Sequence, residues 1–262
     1  MTDRSDNITG GRPVALITGA TRRVGLATAR AMARSGYDLV ITHRGKPEEA
    51  EAAGSELRSL GARVRFEVLS LDDLEAVDAA ARGLASRLER LDALVHNASS
   101  YNQTPLDSLT ASDILVAYRV NAAAPLLLSR GLARLLSASP RPGGGTIVAM
   151  ADIHALGEHG LPRKSGFAAY SMSKAALMEM VRTLARELAP HVRVNAVAPG
   201  VVAWPEQGIE ANAGAQEAYL KSVPLGRAGT PEDAAEAVRW LAVDAVYLTG
   251  EVVRVDGGRN LL

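Results

Sequence analysis

Short, almost uninterrupted apolar runs alternate along this chain with longer segments whose apolar positions recur at helical spacing, and that alternation leaves few folds open. The runs fall at residues 14–17, 38–42, 63–69, 92–96, 146–150, 192–197 and 251–255. Helices are expected from the glycine at 25 to Ser35, over 47–60, about 72–90, about 110–137, from 168 onward and from 230 to about 243. Gly36 and Gly61 stand where helix ends want a left-handed residue, Pro47 opens the second helix, and Thr230-Pro231-Glu232-Asp233 reads as a capped start. The helix from 168 rests on Leu177, Met180, Val181, Leu184 and Leu188, with Pro190 as its stop. A strand that is apolar at nearly every position is buried on both faces. Strand–helix alternation of this kind therefore predicts an α/β fold, a doubly wound parallel sheet of about seven strands with helices on both faces. Ligands of such sheets lie beyond the carboxyl ends of the strands, where the strand order reverses.

The 262 residues carry no internal repeat, which fits one domain over 13–262 with a flexible tail over 1–12 and a substrate loop at about 199–230. Lysine plus arginine equals aspartate plus glutamate at 29 each, so no broad basic field argues for nucleic acid or an anionic membrane. There is no cysteine, hence no disulfide or thiol ligand, and no metal is expected. The first eleven residues are polar and unlike a signal peptide, and the apolar run at 126–128 is too short to span a bilayer. A cytoplasmic protein with a small-molecule partner is the expectation.

Tyr170 and Lys174 are the first residues with chemistry attached. Four apart on a helix, they share one face. At roughly 4 Å and an effective dielectric near 20, an ammonium attracts a phenolate by about 4 kcal/mol. That is enough to bring a tyrosine down from about 10 by a couple of units, towards a useful proton donor at neutral pH. A surface tyrosine beside a solvated lysine is the alternative.

At the other end, Thr18-Gly19 to Gly25 lies between the first strand and the first helix, where a glycine-rich turn lets backbone approach a pyrophosphate. Arg23 takes a position where a glycine is expected, and Arg22 and Arg23 put positive charge where phosphates would lie. An ordinary strand–helix turn is the other reading. After the second strand come Thr42-His43-Arg44-Gly45-Lys46, with no acid before Glu48. A base there suits the 2′-phosphate of NADP, whereas an acid would suit the ribose hydroxyl of NAD; the alternative is a solvated basic loop.

Thr18-Gly19, Gly25, His96-Asn97-Ala98, Asn121, Tyr170, Lys174 and Pro199-Gly200, in this order, make the chain resemble the short-chain dehydrogenase/reductase family from about Pro13 to Gly258. Arg23, His43-Arg44, Asn97-Ala98-Ser99-Ser100-Tyr101, Thr104-Pro105-Leu106, Met150-Ala151-Asp152 and Val255-Asp256-Gly257-Gly258 make it most similar to the pteridine reductases. The resemblance implies a Rossmann-type reductase that uses NADPH, acts on a pterin or dihydropterin and forms a homotetramer, partly through the helices from Thr110 and Ala168. The cofactor would meet Thr18, Gly19, Arg22, Arg23, Val24, Gly25, His43, Arg44, Ser70, Leu71, Asn97, Ala98, Ser99, Tyr170, Lys174, Pro199, Gly200 and Val201. Tyr170 would donate the proton, Lys174 would hold the nicotinamide ribose and lower the tyrosine pKa, and Asn121 would orient Lys174 through a water. Arg23, Ser99, Tyr101, Asp152, Tyr170, Val201 and Trp204 would face the substrate, with the Tyr101 ring stacked on the pterin. Without the resemblance, Tyr101 is a loop aromatic, Asp152 a strand-end acid, and Trp204 either a mobile wall or an anchor for its own loop.

Most relatives place a serine at position 152, whose hydroxyl donates to a carbonyl oxygen. An ionised carboxylate only accepts, which suits ring N–H and amino groups or a relay with Tyr170. Two features depart from the relatives. Ser70 stands where they carry an aspartate for the adenine amino group. The stretch between Asp152 and Tyr170 is also longer by about five residues, within a surplus holding His154, His159, Arg163 and Lys164 that either reshapes the rim or is inert. From His43 and Arg44, NADPH should be preferred over NADH by at least about tenfold, roughly 1.4 kcal/mol. Arg44→Asp should lose most of that preference. Steady-state kinetics with both dinucleotides checks this, and equal use of the two by the unmodified protein would refute it.

Overall fold

The structure, a computed structural model, describes residue 8 and residues 11–155, 165–204 and 211–261. Its frame is a seven-stranded sheet in the order β3-β2-β1-β4-β5-β6-β7, parallel throughout. The strands are β1 (Val14–Thr18), β2 (Asp38–His43), β3 (Val64–Val68), β4 (Ala93–His96), β5 (Gly145–Met150), β6 (Val192–Pro199) and β7 (Val252–Val255). The order turns back between β1 and β4, which opens a crevice at their carboxyl ends.

Side chains alternate across the sheet, so each central strand feeds two cores. Leu16, Leu94, Ile147 and Val194 pack with α3 (Leu74–Arg87), α5 (Ala124–Ser137) and α6 (Ala168–Glu187). Ile17, Val95, Val148 and Val197 pack on the opposite face with α1 (Arg23–Arg34), α2 (Pro47–Ser59) and α8 (Pro231–Val243). Leu128, Leu132 and Leu136 of α5 are fully buried. At about 2 kcal/mol each, they outweigh the tenths that separate helix propensities. By length and composition alone the run 111–137 could cross a membrane. In the structure Leu128, Leu132 and Leu136 of its second half face the core, while Leu115 and Leu126 are exposed.

The segment expected as one helix over 110–137 is in fact α4 (Ala111–Tyr118), a π turn over Arg119–Ala123, and α5. Pro125 gives the reason: it has no N–H to return to the carbonyl of Asn121, so an α-helical ladder cannot run through this point. Ala124 N–H bonds instead to the Arg119 carbonyl, five residues back. A second difference is α7 (Ala213–Leu220) inside the expected substrate loop. Asn212 starts it by accepting the Gly214 N–H, and it has no fully buried residue, so its apolar pattern is weak. At the start of the chain, Ile8 lies in the core, and Arg12 donates to the carbonyls of Gly36 and Gly61. The expected loose tail is thus anchored at these two residues.

Gly25 is the tight point of the crevice. A Cβ there would lie 2.4 Å from the Gly19 carbonyl oxygen and 2.5 Å from Asn97 Nδ2. Gly25→Ala should destabilise the protein by about 1–3 kcal/mol, as overpacking does, and lower Tm by several degrees. Thermal denaturation is the check.

Candidate active site

The crevice is built from the carboxyl ends of β1 and β4. Thr18 Oγ1 accepts the N–H groups of Asn97 (3.0 Å) and Ala98 (3.1 Å), while Asn97 Nδ2 donates to the carbonyls of Thr18 (2.9 Å) and Gly19 (3.0 Å). Gly19 turns with φ +66°, and a Cβ on it would sit 2.9 Å from the Ala98 methyl. The first turn of α1 has no acid and no side-chain cap, whereas α4 and α8 each begin with a complete capping box. Uncapped N–H groups beside a close-approach glycine and the exposed Arg22 fit a pyrophosphate. Arg23 adopts φ +51°, the left-handed backbone a glycine would take, and among the described residues it is the one non-glycine to do so. Its Nη2 donates to the Trp204 carbonyl at 2.6 Å, tying the β1–α1 turn to the segment after β6.

The structure separates His43 from Arg44. Ile41 pairs with Phe66 and His43 shares its face, so the imidazole meets the Phe66 ring edge-on at 5.8 Å. His43 is buried and its Nδ1 accepts the Gly45 N–H, leaving Arg44 as the exposed cation of the pair. After β3, Ser70 is exposed and Leu71 buried. His96 is buried under β4, with Nε2 2.8 Å from Ser129 Oγ. Burial drives the pKa of His96 down to about 3, so it stays neutral.

The catalytic candidates converge where β5 ends beside the start of α6. Tyr170 donates its phenolic hydrogen to Asp152 Oδ2 at 2.8 Å, and Asp152 Oδ1 accepts the His154 N–H at 2.7 Å. Lys174 is buried, donates to the Met150 carbonyl at 2.6 Å and holds its Nζ 5.8 Å from the centre of the Tyr170 ring. Asn121, on the π turn, uses its whole amide: Oδ1 accepts from Ser99 Oγ and Ser100 N, and Nδ2 donates to the Ser100 carbonyl and to Ser173 Oγ. Ser173, which the sequence did not single out, passes its own hydrogen to the Tyr170 carbonyl. Asn121 therefore braces the loop after β4 against α6 directly.

Tyr101 stacks on Phe167 (4.8 Å, 27°) and meets Tyr170 edge-on at 4.8 Å. Phe167 was also missed; it immediately precedes the first residue of α6, and only its place three residues before Tyr170 could have pointed to it. Main-chain bonding of Thr104 N to the Gly166 carbonyl at 2.7 Å joins the two segments that carry these rings. Gly200 N donates to the Val255 carbonyl and Val201 N to Tyr219 Oη, which fixes the end of β6 beyond Pro199. Trp204 is half-buried, edge-on to Tyr219 at 5.4 Å. His159, Arg163 and Lys164 of the long 152–170 stretch lie outside the described residues, whereas His154 is buried in a short 3-10 turn after Asp152. No cluster of metal-ligating side chains occurs among the described residues.

Burial pulls the Lys174 ammonium from its ordinary 10.5 down to about 8, and the Asp152 carboxylate offsets part of that fall. A lysine whose folded pKa is depressed destabilises the fold below about pH 8 and is relieved as pH rises towards its unfolded value. Lys174→Met should therefore be more stable than the parent at pH 7, by up to about 3 kcal/mol at 1.36 kcal/mol per unit. The advantage should shrink between pH 8 and 10, while activity is lost. Urea denaturation at pH 7 and 9.5 checks both signs.

Comparison with known proteins agrees with this geometry. The profile of the enoyl-(acyl carrier protein) reductase family matches residues 19–260. A 3-oxoacyl-[acyl-carrier-protein] reductase from Synechocystis sp. is 32% identical over 248 residues, covering 94% of this chain and 96% of its own. The short-chain reductase protein NovJ from Streptomyces niveus is 33% identical over 254 residues, covering 94% and 93%. A gluconate 5-dehydrogenase from Burkholderia cenocepacia, solved with NADP and tartrate, superposes with a TM-score of 0.85 at 25% identity, covering 99% of this chain and all of that one. None of these relatives is named a pteridine reductase. With a crevice at the strand reversal, the Tyr170–Lys174 pair beside it and relatives that align end to end, the chain belongs to the short-chain dehydrogenase/reductase family.

Proposed function

We propose that this oxidoreductase is an NADPH-dependent reductase of a pterin or dihydropterin. The observation that carries the reading is the 2.8 Å hydrogen bond from Tyr170 to Asp152. A serine at position 152 would offer a ketone oxygen a donor; this carboxylate offers only acceptors, and a ketone oxygen would be repelled. A ring that presents N–H and amino groups satisfies it. Bound NADPH would supply a hydride to the carbon of a ring C=N bond. Tyr170 then gives its proton to the ring nitrogen, so that the C=N bond becomes a CH–NH bond. Asp152 aligns the phenol beforehand and accepts from the substrate's nitrogens. Lys174, held by the Met150 carbonyl, would hold the nicotinamide ribose and keep positive charge near the phenolate left behind. Tyr101 and Phe167 form an aromatic edge suited to a flat ring.

Relatives named for 3-oxoacyl and galactitol chemistry favour a second reading, reduction of another carbonyl or imine. Asp152 weighs against the carbonyl. A non-catalytic NADP-binding sensor is the third reading, and the assembled Asn121, Tyr170 and Lys174 weigh against it. We carry with the first reading a homotetramer, since Leu115, Tyr118, Leu126 and Met172 on α4, α5 and α6 expose apolar surface.

NADPH oxidation with a panel of dihydropterins and simple ketones separates the three, and turnover of ketones alone would overturn the first. Asp152→Ala should lower turnover by about a hundredfold or more, as loss of an acid–base group does, with dinucleotide binding retained. Asp152→Ser should also impair pterin reduction, although serine is usual among relatives. Full pterin activity in the serine variant would show the carboxylate to be incidental.

A further inference from the structure

Arg259 opens a short 3-10 turn after β7 and is a cation that no step above uses. It is only 7% exposed, and among the described residues no carboxylate pairs with it. A guanidinium cannot shed its proton, so a buried one is costly unless something answers its charge. Asp256 lies three residues back, but its two oxygens are turned to the Gly258 and Asn260 N–H groups. What answers the charge is the end of α7. The guanidinium carbon lies 4.1 Å from the centre of the Tyr219 ring, and Nη1 donates to Ser222 Oγ. Nε has no hydrogen-bond partner among the described residues, so the group is placed for the ring more than for acceptors. Ser222 passes its own hydrogen to the Tyr219 carbonyl, one of the last of α7, where the helix dipole also favours a cation. α7 needs such a hold, because it has no fully buried residue of its own.

Tyr219 carries the hold to the crevice. Its Oη accepts the Val201 N–H at 2.8 Å and lies so close over Gly200 that a Cβ there would be 2.8 Å from it. The Val201 carbonyl accepts the Gly229 N–H, so both main-chain groups of Val201 are fixed. Trp204 meets the same Tyr219 ring edge-on, and Arg23 holds the Trp204 carbonyl from the β1–α1 turn. Direct contacts thus run from the end of the sequence, through Arg259, Tyr219 and Trp204, to the glycine turn after β1.

We propose that Arg259 is a positioning residue for the site: by stacking on Tyr219 it holds residues 200–204 where a bound substrate needs them. The hold is a flat cation on a flat ring, so lysine, a compact charge on a flexible stem, replaces it only in part. For turnover the inference rests on the reductase reading given above; for the placement of Trp204 it does not.

The test uses the full chain carrying Trp240→Phe, which leaves Trp204 as its one tryptophan. Acrylamide quenching of its fluorescence, without ligand, reads how firmly residues 200–204 are held. Arg259→Met keeps the stem and removes the charge, and it should raise the quenching constant about twofold, as a half-buried indole becomes exposed. Arg259→Lys, which keeps a charge and should fold even where methionine does not, should lie between the two. In dihydropterin reduction, Arg259→Met should raise KM about tenfold and change kcat by less than about threefold, the pattern of lost substrate placement. Tyr219→Phe keeps the ring but frees Val201, and should raise KM in the same way. A residue that merely anchors the chain end would lower Tm and leave quenching and KM at the parent values, and that result would overturn the proposal. Raised quenching in Arg259→Met together with no reductase turnover by the parent would overturn the reductase reading and support the hold on Trp204.

Discussion

Beyond the last rung of the β1–β4 ladder, one hydroxyl and one amide hold the two halves of the sheet together. At the reversal β1 and β4 diverge, and the first N–H groups beyond β4 have no further strand to pair with. Thr18 Oγ1 takes two of them, and Asn97 returns the favour to the carbonyls of Thr18 and Gly19. Each bond is worth about 1 kcal/mol net, but a buried group left unpaired costs about 1–3. With this seam closed, Gly19 and Gly25 can approach β4 closely enough to leave a crevice lined by main chain. Everything that a nucleotide would touch is placed relative to those few contacts.

The fold was legible because burial on both faces writes itself into a strand as an unbroken apolar run. The helix of Tyr170 and Lys174 was legible for a related reason, since a four-residue spacing survives any tertiary context. The meeting of Asp152 with Tyr170 was not. It depends on β5 ending beside the start of α6, eighteen residues later, and the motif resemblance, not spacing, pointed to it. The π turn escaped a reading based on periodicity because its apolar positions look helical. Its trace was Pro125, four residues after Asn121, where a helical hydrogen bond is forbidden. The burial of His43 was hidden as well. Register against β3, which brings Phe66 within reach, decides it, and a single strand's sequence carries no register.

The site also shows two buried bases used in opposite ways. His96 is buried with Nε2 hydrogen-bonded to Ser129 Oγ, and burial leaves it a neutral structural group. Lys174 is as deeply buried, yet it has a main-chain acceptor and the Asp152 carboxylate in its field, so it keeps its charge near neutral pH. The difference lies in which neighbours share the desolvated space, since depth is the same for both.

The bond from Thr104 to Gly166, like the main-chain bond that holds Gly200 to Val255, involves no side chain at all. Part of the rim is thus held by main chain alone, beside side-chain ties from Arg23 to the Trp204 carbonyl and from Val201 N–H to Tyr219 Oη. Where the ties are main-chain, the flanking side chains can be exchanged without moving the frame that presents them, much as lenses are changed in a fixed mount. Relatives that align with this chain almost end to end carry names from acyl, polyol and sugar-acid chemistry, a range that one frame with variable rim groups accommodates.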